Sequence, residues 1–239
     1  MKFKREYVVS KEQCENGKIT YKNLFKLMLN TSNEQSKSID ATTMDLIDKG
    51  YTWMIYKWRV DFYSLPLEDE KIIILTWASE FKRLNAFREF EVYNEKNEKI
   101  ISASTVFLIV DIEKKKPIRI PDTLIERFGM IEEKNFDKID RLKIQGEKIS
   151  EKTIEIEKEN IDINGHVNNI VYIDWILKSV DEKFREENEL ESLNLIYHKE
   201  IINQKNVNVS VFQGDSLFYE IKTDEINAIS EINWKRKLD

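Results

Sequence analysis

The length, composition and charge of the chain exclude several classes of protein. With 239 residues, of which 41% are hydrophobic and 34% charged, the chain can form one large domain or two small ones with a substantial core. A net charge of −6 argues against general nucleic-acid binding, and the single cysteine, Cys14, excludes an intramolecular disulfide framework. No apolar run is long enough to span a bilayer and no signal-peptide core is present, so we expect a cytoplasmic protein without a membrane span.

The first half of the chain predicts one helix followed by a run of antiparallel strands. A loosely alternating strand is expected at 3–9, and the apolar residues from Leu24 to Leu29 predict a helix over 20–38. After Gly50 the pattern changes to alternation. It predicts strands at 53–62, 71–78, 83–93 and 99–111, with a hairpin turn at 94–97.

The second half repeats this order after a connector. Residues 114–121 break the strand pattern, and an exposed helix is predicted at 122–137. Apolar residues then recur at helical spacing from Val167 to Phe184, which is longer than an ordinary strand, so we predict a helix that starts at Gly165. The predicted strands of this half lie at 151–158, 193–201, 207–213, 216–223 and 228–235.

A helix and a meander of strands that occur twice suggest an internal duplication. A helix that faces a curved antiparallel sheet buries one face of each element. Two such units could pair their sheets and protect the edge strands. The sequence therefore predicts an α+β fold of the double hot-dog type, with tandem helix-on-sheet units at 1–140 and 141–239 that form one continuous sheet.

Polar residues able to do chemistry surround Gly165, at the predicted start of the second helix. Asp162, Asn164, His166 and Asn169 stand there, and Asn164 with Gly165 occupies the place of an N-cap. Free backbone N–H groups at a helix N-terminus can bind or polarise an oxygen, which suits carbonyl chemistry. Two structural alternatives stay open: Asp162 and Asn164 as simple caps, and His166 bonded to a backbone group.

These residues also carry a family resemblance. Asp162-Ile163-Asn164-Gly165-His166-Val167-Asn168-Asn169, followed by Tyr172 and Trp175, resembles the Asp-x-Asn-x-His-Val-Asn-Asn motif of the acyl-acyl-carrier-protein thioesterases. Tyr197-His198-Lys199-Glu200-Ile201 is similar to the Tyr-Arg-Arg-Glu-Cys motif of the plant enzymes. The first half is similar through Trp53, Trp77-Ala78-Ser79, Phe81-Lys82-Arg83, Arg88-Glu89-Phe90 and Pro117-Ile118-Arg119-Ile120-Pro121.

The resemblance implies a thioesterase that releases free fatty acid from acyl-carrier protein, with the second unit catalytic. It makes Asp162, Asn164, His166 and Glu200 the catalytic set, with N–H donors near His166 and Val167 for the oxyanion. Some plant members have a cysteine where this chain has Ile201, so a thiol nucleophile is not available here. The reaction is therefore expected to use carboxylate, imidazole and water, either through a base-activated water or through direct attack by Glu200 to form an anhydride.

The resemblance further implies that the first unit binds the acyl chain. The candidate residues are Leu24, Leu27, Met28, Met54 and Tyr56, for which core packing is the alternative. We expect acylated acyl-carrier protein as the partner, docked on one of three basic stretches: Lys82-Arg83, Lys114-Lys115-Lys116 with Arg119, or Lys235-Arg236-Lys237.

Cofactors and metals are not expected, because no ligand cluster or phosphate-binding loop is visible in the sequence. A homodimer stays open as an alternative to a monomer. Two other functions also stay open: an acyl-CoA thioesterase of the same fold, and a hot-dog protein that binds acyl thioesters without hydrolysing them.

Overall fold

A computed structural model describes residues 2–139, 141–162 and 165–237 of the chain. The chain divides into two compact units, Met1–Ile139 and Asp140–Asp239. In each unit, antiparallel strands form a sheet with helical segments alongside, which confirms the predicted α+β fold class. No helix in the described residues has the length and the continuous apolar character that a membrane-spanning helix needs.

The first unit contains one long helix and a sheet of long strands. Its helices are α1 (Tyr21–Lys37), α2 (Thr43–Ile47) and α3 (Asp122–Phe128). Its strands are β1 (Phe3–Val8), β2 (Cys14–Glu15), β3 (Lys18–Ile19), β4 (Tyr51–Phe62), β5 (Lys71–Lys82), β6 (Asn85–Tyr93), β7 (Lys99–Asp111) and β8 (Lys116–Ile118). The sheet order is β1-β5-β6-β7-β4, with β8 also paired to β7, and β2 pairs separately with β3.

Helix α1 starts where the sequence provides a cap and buries one face over the sheet. The Thr20 hydroxyl accepts a hydrogen bond from the Asn23 N–H at 3.3 Å, which satisfies one of the free donors of the first turn. The helix packs against β1 and β5. Phe25 meets the Trp58 ring edge-on, with centroids 5.0 Å apart, and both side chains are about 1% exposed.

The helix predicted at 122–137 is shorter in the structure and ends at Phe128. Gly129 follows it with φ +62°, a left-handed conformation that ends a helix and suits glycine. The chain beyond runs along the sheet instead: the Trp77 indole N–H donates to the Glu133 carbonyl at 2.8 Å, and the Ile131 N–H donates to the Ala78 carbonyl at 3.0 Å. These long-range bonds leave no trace in local sequence periodicity.

The second unit has the same kinds of element. It contains β9 (Glu147–Glu155), α4 (Val171–Ser179), α5 (Glu182–Glu187), β10 (Asn188–Tyr197), β11 (Asn206–Gln213), β12 (Leu217–Lys222) and β13 (Ile226–Arg236). The strand order is β10-β13-β12-β11-β9. Helix α4 packs against β9, β11 and β12. The residues of α4 that are buried are Val171, Tyr172, Ile173, Trp175 and Ile176.

The single helix predicted from Gly165 to Phe184 is wrong at its start and in its continuity. Helix α4 begins only at Val171, because Asn168 forms a turn just before it. The Asn168 carbonyl accepts a hydrogen bond from the Val171 N–H at 2.9 Å, and the side-chain oxygen of Asn168 accepts one from the Ile170 N–H at 3.0 Å. Val180 adopts an extended conformation after α4, and the Asp181 carboxylate then caps α5. Asn168 therefore closes the turn that precedes the helix, and the helix starts well after Gly165.

The strand predicted at 193–201 is also displaced. Strand β10 ends at Tyr197, so Glu200 lies in the segment that follows the strand rather than within it. The buried Asn227 holds the start of this segment, because its carbonyl accepts the N–H groups of His198 at 2.8 Å and Lys199 at 3.1 Å.

Candidate active site

Two short segments of the second unit, 160–162 and 165–168, pair in an antiparallel way and form the hairpin that carries His166. The Asp162 N–H donates to the His166 carbonyl at 2.7 Å, and the Asp162 carboxylate accepts the His166 N–H at 3.1 Å. Gly165 lies between them with φ +80°, which L-amino acids with side chains rarely adopt. Asp162 therefore fixes the backbone of His166 through bonds made to both its N–H and its carbonyl.

A second set of contacts brings this hairpin to the segment that follows β10. The Val167 N–H donates to the Ile201 carbonyl at 3.0 Å, and His166 pairs with Ile202 as an isolated antiparallel bridge. The imidazole Nδ1 of His166 consequently lies 3.3 Å from Oε1 of Glu200. The side chains are 32% and 50% exposed, so both the imidazole and the carboxylate are accessible to a ligand.

The His166–Glu200 pair has the features of a base and its orienting group. A carboxylate beside Nδ1 favours the tautomer with a proton on that nitrogen, which leaves Nε2 with a free lone pair. Oε1 is the oxygen of Glu200 that faces the imidazole, and the carboxylate has a second oxygen that can accept a hydrogen bond. The pair can therefore orient a water molecule and accept its proton.

Two buried tyrosines, Tyr172 and Tyr197, contact each other, and Tyr172 is close enough to Glu200 to feel its charge. The Tyr197 hydroxyl donates to the Asn169 carbonyl at 2.8 Å, and the Tyr172 ring meets the Tyr197 ring edge-on with centroids 5.2 Å apart. Burial raises the pKa of Tyr172, and the charge of Glu200 raises it further. Burial likewise raises the pKa of Tyr197. Both hydroxyls therefore stay protonated, and that of Tyr197 acts as a hydrogen-bond donor.

The structure brings together three of the four residues predicted as a catalytic set. Asp162, His166 and Glu200 form one connected group, although Glu200 is far from the other two in the chain. Asn164 lies outside the described residues. Their catalytic role stays a prediction.

The oxyanion role predicted for the N–H groups of His166 and Val167 requires correction. Neither residue lies at a helix N-terminus, because α4 begins at Val171. The His166 N–H is bonded to Asp162 and the Val167 N–H to Ile201, so neither donor is free for an oxyanion in this conformation. These two bonds hold the site together instead of stabilising charge on a substrate.

The residues predicted to bind an acyl chain lie in the first unit. Leu24, Leu27 and Met28 are buried on the inner face of α1, whereas Met54 and Tyr56 are half-buried on β4. Tyr56 falls where the register between β4 and β7 shifts, between Ile55 and Lys57, so it interrupts the regular alternation of the strand. Their role in acyl binding stays a prediction.

Two features of the site escaped the sequence analysis. The first is Tyr197, which belongs to a recognised motif but carries no local signal that its hydroxyl reaches Asn169. The second is Asn168, whose side chain and carbonyl close the turn before α4, in keeping with the preference of asparagine for turns. Across residues 2–139, 141–162 and 165–237, no group of three or more His, Cys, Asp and Glu side chains is arranged to hold a metal ion.

Comparisons with known proteins agree with the fold and the motifs. The acyl-ACP thioesterase N-terminal domain family matches residues 1–128, and the acyl-ACP thioesterase C-terminal domain family matches residues 144–236. A chloroplastic acyl-[acyl-carrier-protein] hydrolase of Cuphea viscosissima is 24% identical over 192 residues, which cover 74% of this chain and 46% of that protein. The chain thus spans about half the length of the curated relatives it matches.

Two solved structures support the same fold along nearly the whole chain. The crystal structure of an acyl-ACP thioesterase from Bacteroides thetaiotaomicron has a TM-score of 0.86 and 22% identity, and 97% of each chain is covered. The 12:0-ACP thioesterase from Umbellularia californica has a TM-score of 0.88 and 16% identity, with 99% of this chain and 98% of that chain covered. With a family model matched in each of its two units, the chain belongs to the acyl-ACP thioesterase family.

Proposed function

We propose that this protein hydrolyses the thioester of fatty acyl-acyl-carrier protein, which releases a free fatty acid and ends chain elongation. The observation that carries the proposal is the contact between His166 Nδ1 and Glu200 Oε1, made by side chains that are accessible and held by a dedicated hairpin. The family match of both units adds the substrate class, since the similar proteins are named as acyl-carrier-protein hydrolases.

In the proposed reaction, Glu200 and His166 orient a water molecule and accept its proton while the water oxygen attacks the thioester carbonyl. The tetrahedral intermediate then collapses, the carbon–sulfur bond breaks, and the proton returns to the departing thiolate. The products are the fatty acid and the thiol of the carrier. General-base assistance of this kind is worth about 10²–10⁴-fold in rate.

Asp162 positions the base in this proposal and does not take part in proton transfer. Its carboxylate already accepts the His166 N–H at 3.1 Å. We assign to Asn164 the orientation of the water or of Glu200, by resemblance to the family motif. A thiol nucleophile has no part in the scheme, because this chain has Ile201 where some plant members of the family have a cysteine.

We assign acyl-chain binding to the first unit, around the inner face of α1. The N-terminal half of that face is apolar, with Leu24, Leu27 and Met28 all buried. An acyl chain that displaces or packs against such residues gains about 0.8 kcal/mol per buried methylene. Removal of buried volume there is expected to change the preferred chain length.

We also propose that the acyl-carrier protein docks through a basic cleft of the first unit. The cleft has a volume of about 310 Å³ and is lined by Phe81, Arg83, Arg119, Ile120, Asp122 and Ile125. Arg119 pairs with Asp122 at 3.2 Å, whereas Arg83 has no carboxylate partner among the described residues. Among the residues of the three basic stretches we choose Arg83, because it lines this cleft without a carboxylate partner there and its charge is available for an acidic partner.

The half-buried free thiol of Cys14 is compatible with a reducing compartment, and we place the protein in the cytoplasm on that basis.

The test is turnover of a fatty acyl thioester of acyl-carrier protein by the wild type, His166→Ala and Glu200→Gln. We expect the wild type to release fatty acid and thiol in equal amounts. Both variants should lose at least about 100-fold in kcat while their circular dichroism and unfolding midpoints stay close to those of the wild type. A wild type that binds the substrate without turnover would contradict the proposal, and a variant with near-normal kcat would remove that residue from the mechanism.

A further inference from the structure

The His166–Glu200 contact joins two chain segments that are distant in sequence. One segment is the hairpin that carries His166, and the other follows β10 and carries Glu200. Beside the pair itself, the backbone bond from Val167 to Ile201, at 3.0 Å, joins them next to the bridge between His166 and Ile202. Among the described residues these contacts all lie within the short stretch from Glu200 to Ile202.

Tyr197 supplies a second point of attachment away from the first. Tyr197 is the last residue of β10 and stands three positions before Glu200. Its hydroxyl donates a hydrogen bond to the carbonyl of Asn169, which stands three positions after His166. The hydrogen bond is 2.8 Å long and the Tyr197 side chain is 8% exposed, so water competes little for it. The edge-on contact with Tyr172, itself 1% exposed, holds the Tyr197 ring in place.

We propose that Tyr197 is a positioning residue, whose hydroxyl fixes the hairpin of His166 relative to the segment of Glu200 and so sets the distance between imidazole and carboxylate. The inference rests on the proposed function. Tyr197 acts through the pair and does not touch the substrate. Its effect on the reaction should therefore vanish when the pair no longer works.

The first experiment compares Tyr197→Phe with Tyr219→Phe in steady-state hydrolysis of acyl-acyl-carrier protein. In Tyr197→Phe the aromatic ring keeps its packing against Tyr172, whereas the bond to Asn169 is lost. We expect kcat to fall about 3- to 10-fold, the equivalent of one net hydrogen bond, with KM unchanged because substrate binding does not use this bond.

Tyr219 is a matched control in the same unit. Its side chain is fully buried, and its hydroxyl accepts a hydrogen bond from the Trp234 indole at 3.2 Å. Tyr219→Phe also removes one part-buried hydrogen bond and leaves an indole N–H without its acceptor, so its unfolding midpoint should fall at least as much as that of Tyr197→Phe. We expect its kcat to stay within about 2-fold of the wild type, since that bond is not shared with either segment of the pair.

The second experiment places Tyr197→Phe on the Glu200→Gln background. A positioning residue loses its effect there, so the double variant should have the kcat of Glu200→Gln alone. The inference is overturned if Tyr197→Phe alone keeps wild-type kcat, if Tyr219→Phe lowers kcat equally, or if the Tyr197→Phe effect persists undiminished on the Glu200→Gln background. A wild type without turnover would instead overturn the proposed function, and this inference with it.

Discussion

Shortening the Glu200 side chain by one methylene separates two roles that its carboxylate could have. In the structure Oε1 lies 3.3 Å from His166 Nδ1. Glu200→Asp keeps the charge but withdraws the carboxylate by about 1.5 Å, the length of one carbon–carbon bond. The remaining separation of about 4.8 Å is beyond the range in which a general base and its partner transfer a proton.

We therefore expect Glu200→Asp to lose about as much kcat as Glu200→Gln, at least about 100-fold, since general-base assistance is worth about 10²–10⁴-fold. The Glu200 side chain is half-exposed, so neither variant should change the unfolding midpoint by more than about 1 °C, which is within the range of surface substitutions. The assay is continuous detection of the thiol released from acyl-acyl-carrier protein, with kcat and KM determined separately.

A matched control is Glu225→Asp, which shortens another exposed glutamate. Glu225 pairs with Lys199, the residue just before Glu200. It should keep wild-type kcat, because exposed ion pairs contribute little and the partner of Glu225 is Lys199 rather than His166. The argument from reach would be refuted if Glu200→Asp stayed within about 3-fold of the wild type while Glu200→Gln was inactive. In that event the charge of Glu200 would act at a distance, without contact.

Three further predictions concern the acyl site, the hairpin and the docking cleft. Met28→Ala removes a fully buried side chain and should lower the free energy of unfolding by about 2–5 kcal/mol, as measured by denaturant titration. The variant should also prefer a different acyl length in hydrolysis assays. An unchanged acyl-length preference would assign Met28 to the core alone. Asp162→Ala removes the acceptor of the His166 N–H and should lower kcat about 10-fold. Asp162→Asn keeps an oxygen acceptor and should keep most of the activity. An equal loss of kcat in both variants would mean that the charge of Asp162 is needed. Arg83→Glu should raise KM for the carrier-linked thioester but not for a small thioester. Added salt should reduce the difference in KM between the variant and the wild type, because it screens the charges. Equal changes in KM on both substrates would exclude Arg83 from docking.

Local patterns predicted much of the first unit. The strand predicted at 99–111 has the bounds of β7, and the helix predicted at 20–38 matches α1 within one residue at each end because Thr20 caps it. Alternation and capping are local signals, and both are decided by residues that are close in sequence. The ends of strands β5 and β6 were placed less well, since the turn between them carries no glycine.

The start of helix α4 could not be predicted in the same way. Val167 fits the helical spacing of the apolar residues that follow. In the structure, however, it pairs with Ile161 as an antiparallel bridge and its N–H donates to the Ile201 carbonyl. Those partners are fixed by tertiary structure and override the local pattern. An asparagine beside a glycine therefore resembled a cap, whereas the helix starts at Val171, after a turn that Asn168 closes.

The candidate site shows the same limit. Asp162 and His166 are neighbours in sequence, and their grouping was visible as a polar cluster. Glu200 had no local feature that distinguishes it from an exposed charge, and only the family motif selected it. The bonds that bring it to His166, from Val167 to Ile201 and from Tyr197 to Asn169, join residues about thirty positions apart.

Hydrolysis of a panel of acyl chains, each offered on acyl-carrier protein and on CoA, tests the central claim most directly. We expect a higher kcat/KM for the carrier-linked thioester, a maximum at one chain length, and loss of turnover in Glu200→Gln. Equal or better use of CoA would move the protein to the acyl-CoA thioesterases. Tight acyl binding without turnover on either carrier would contradict the account and identify an acyl-thioester-binding protein.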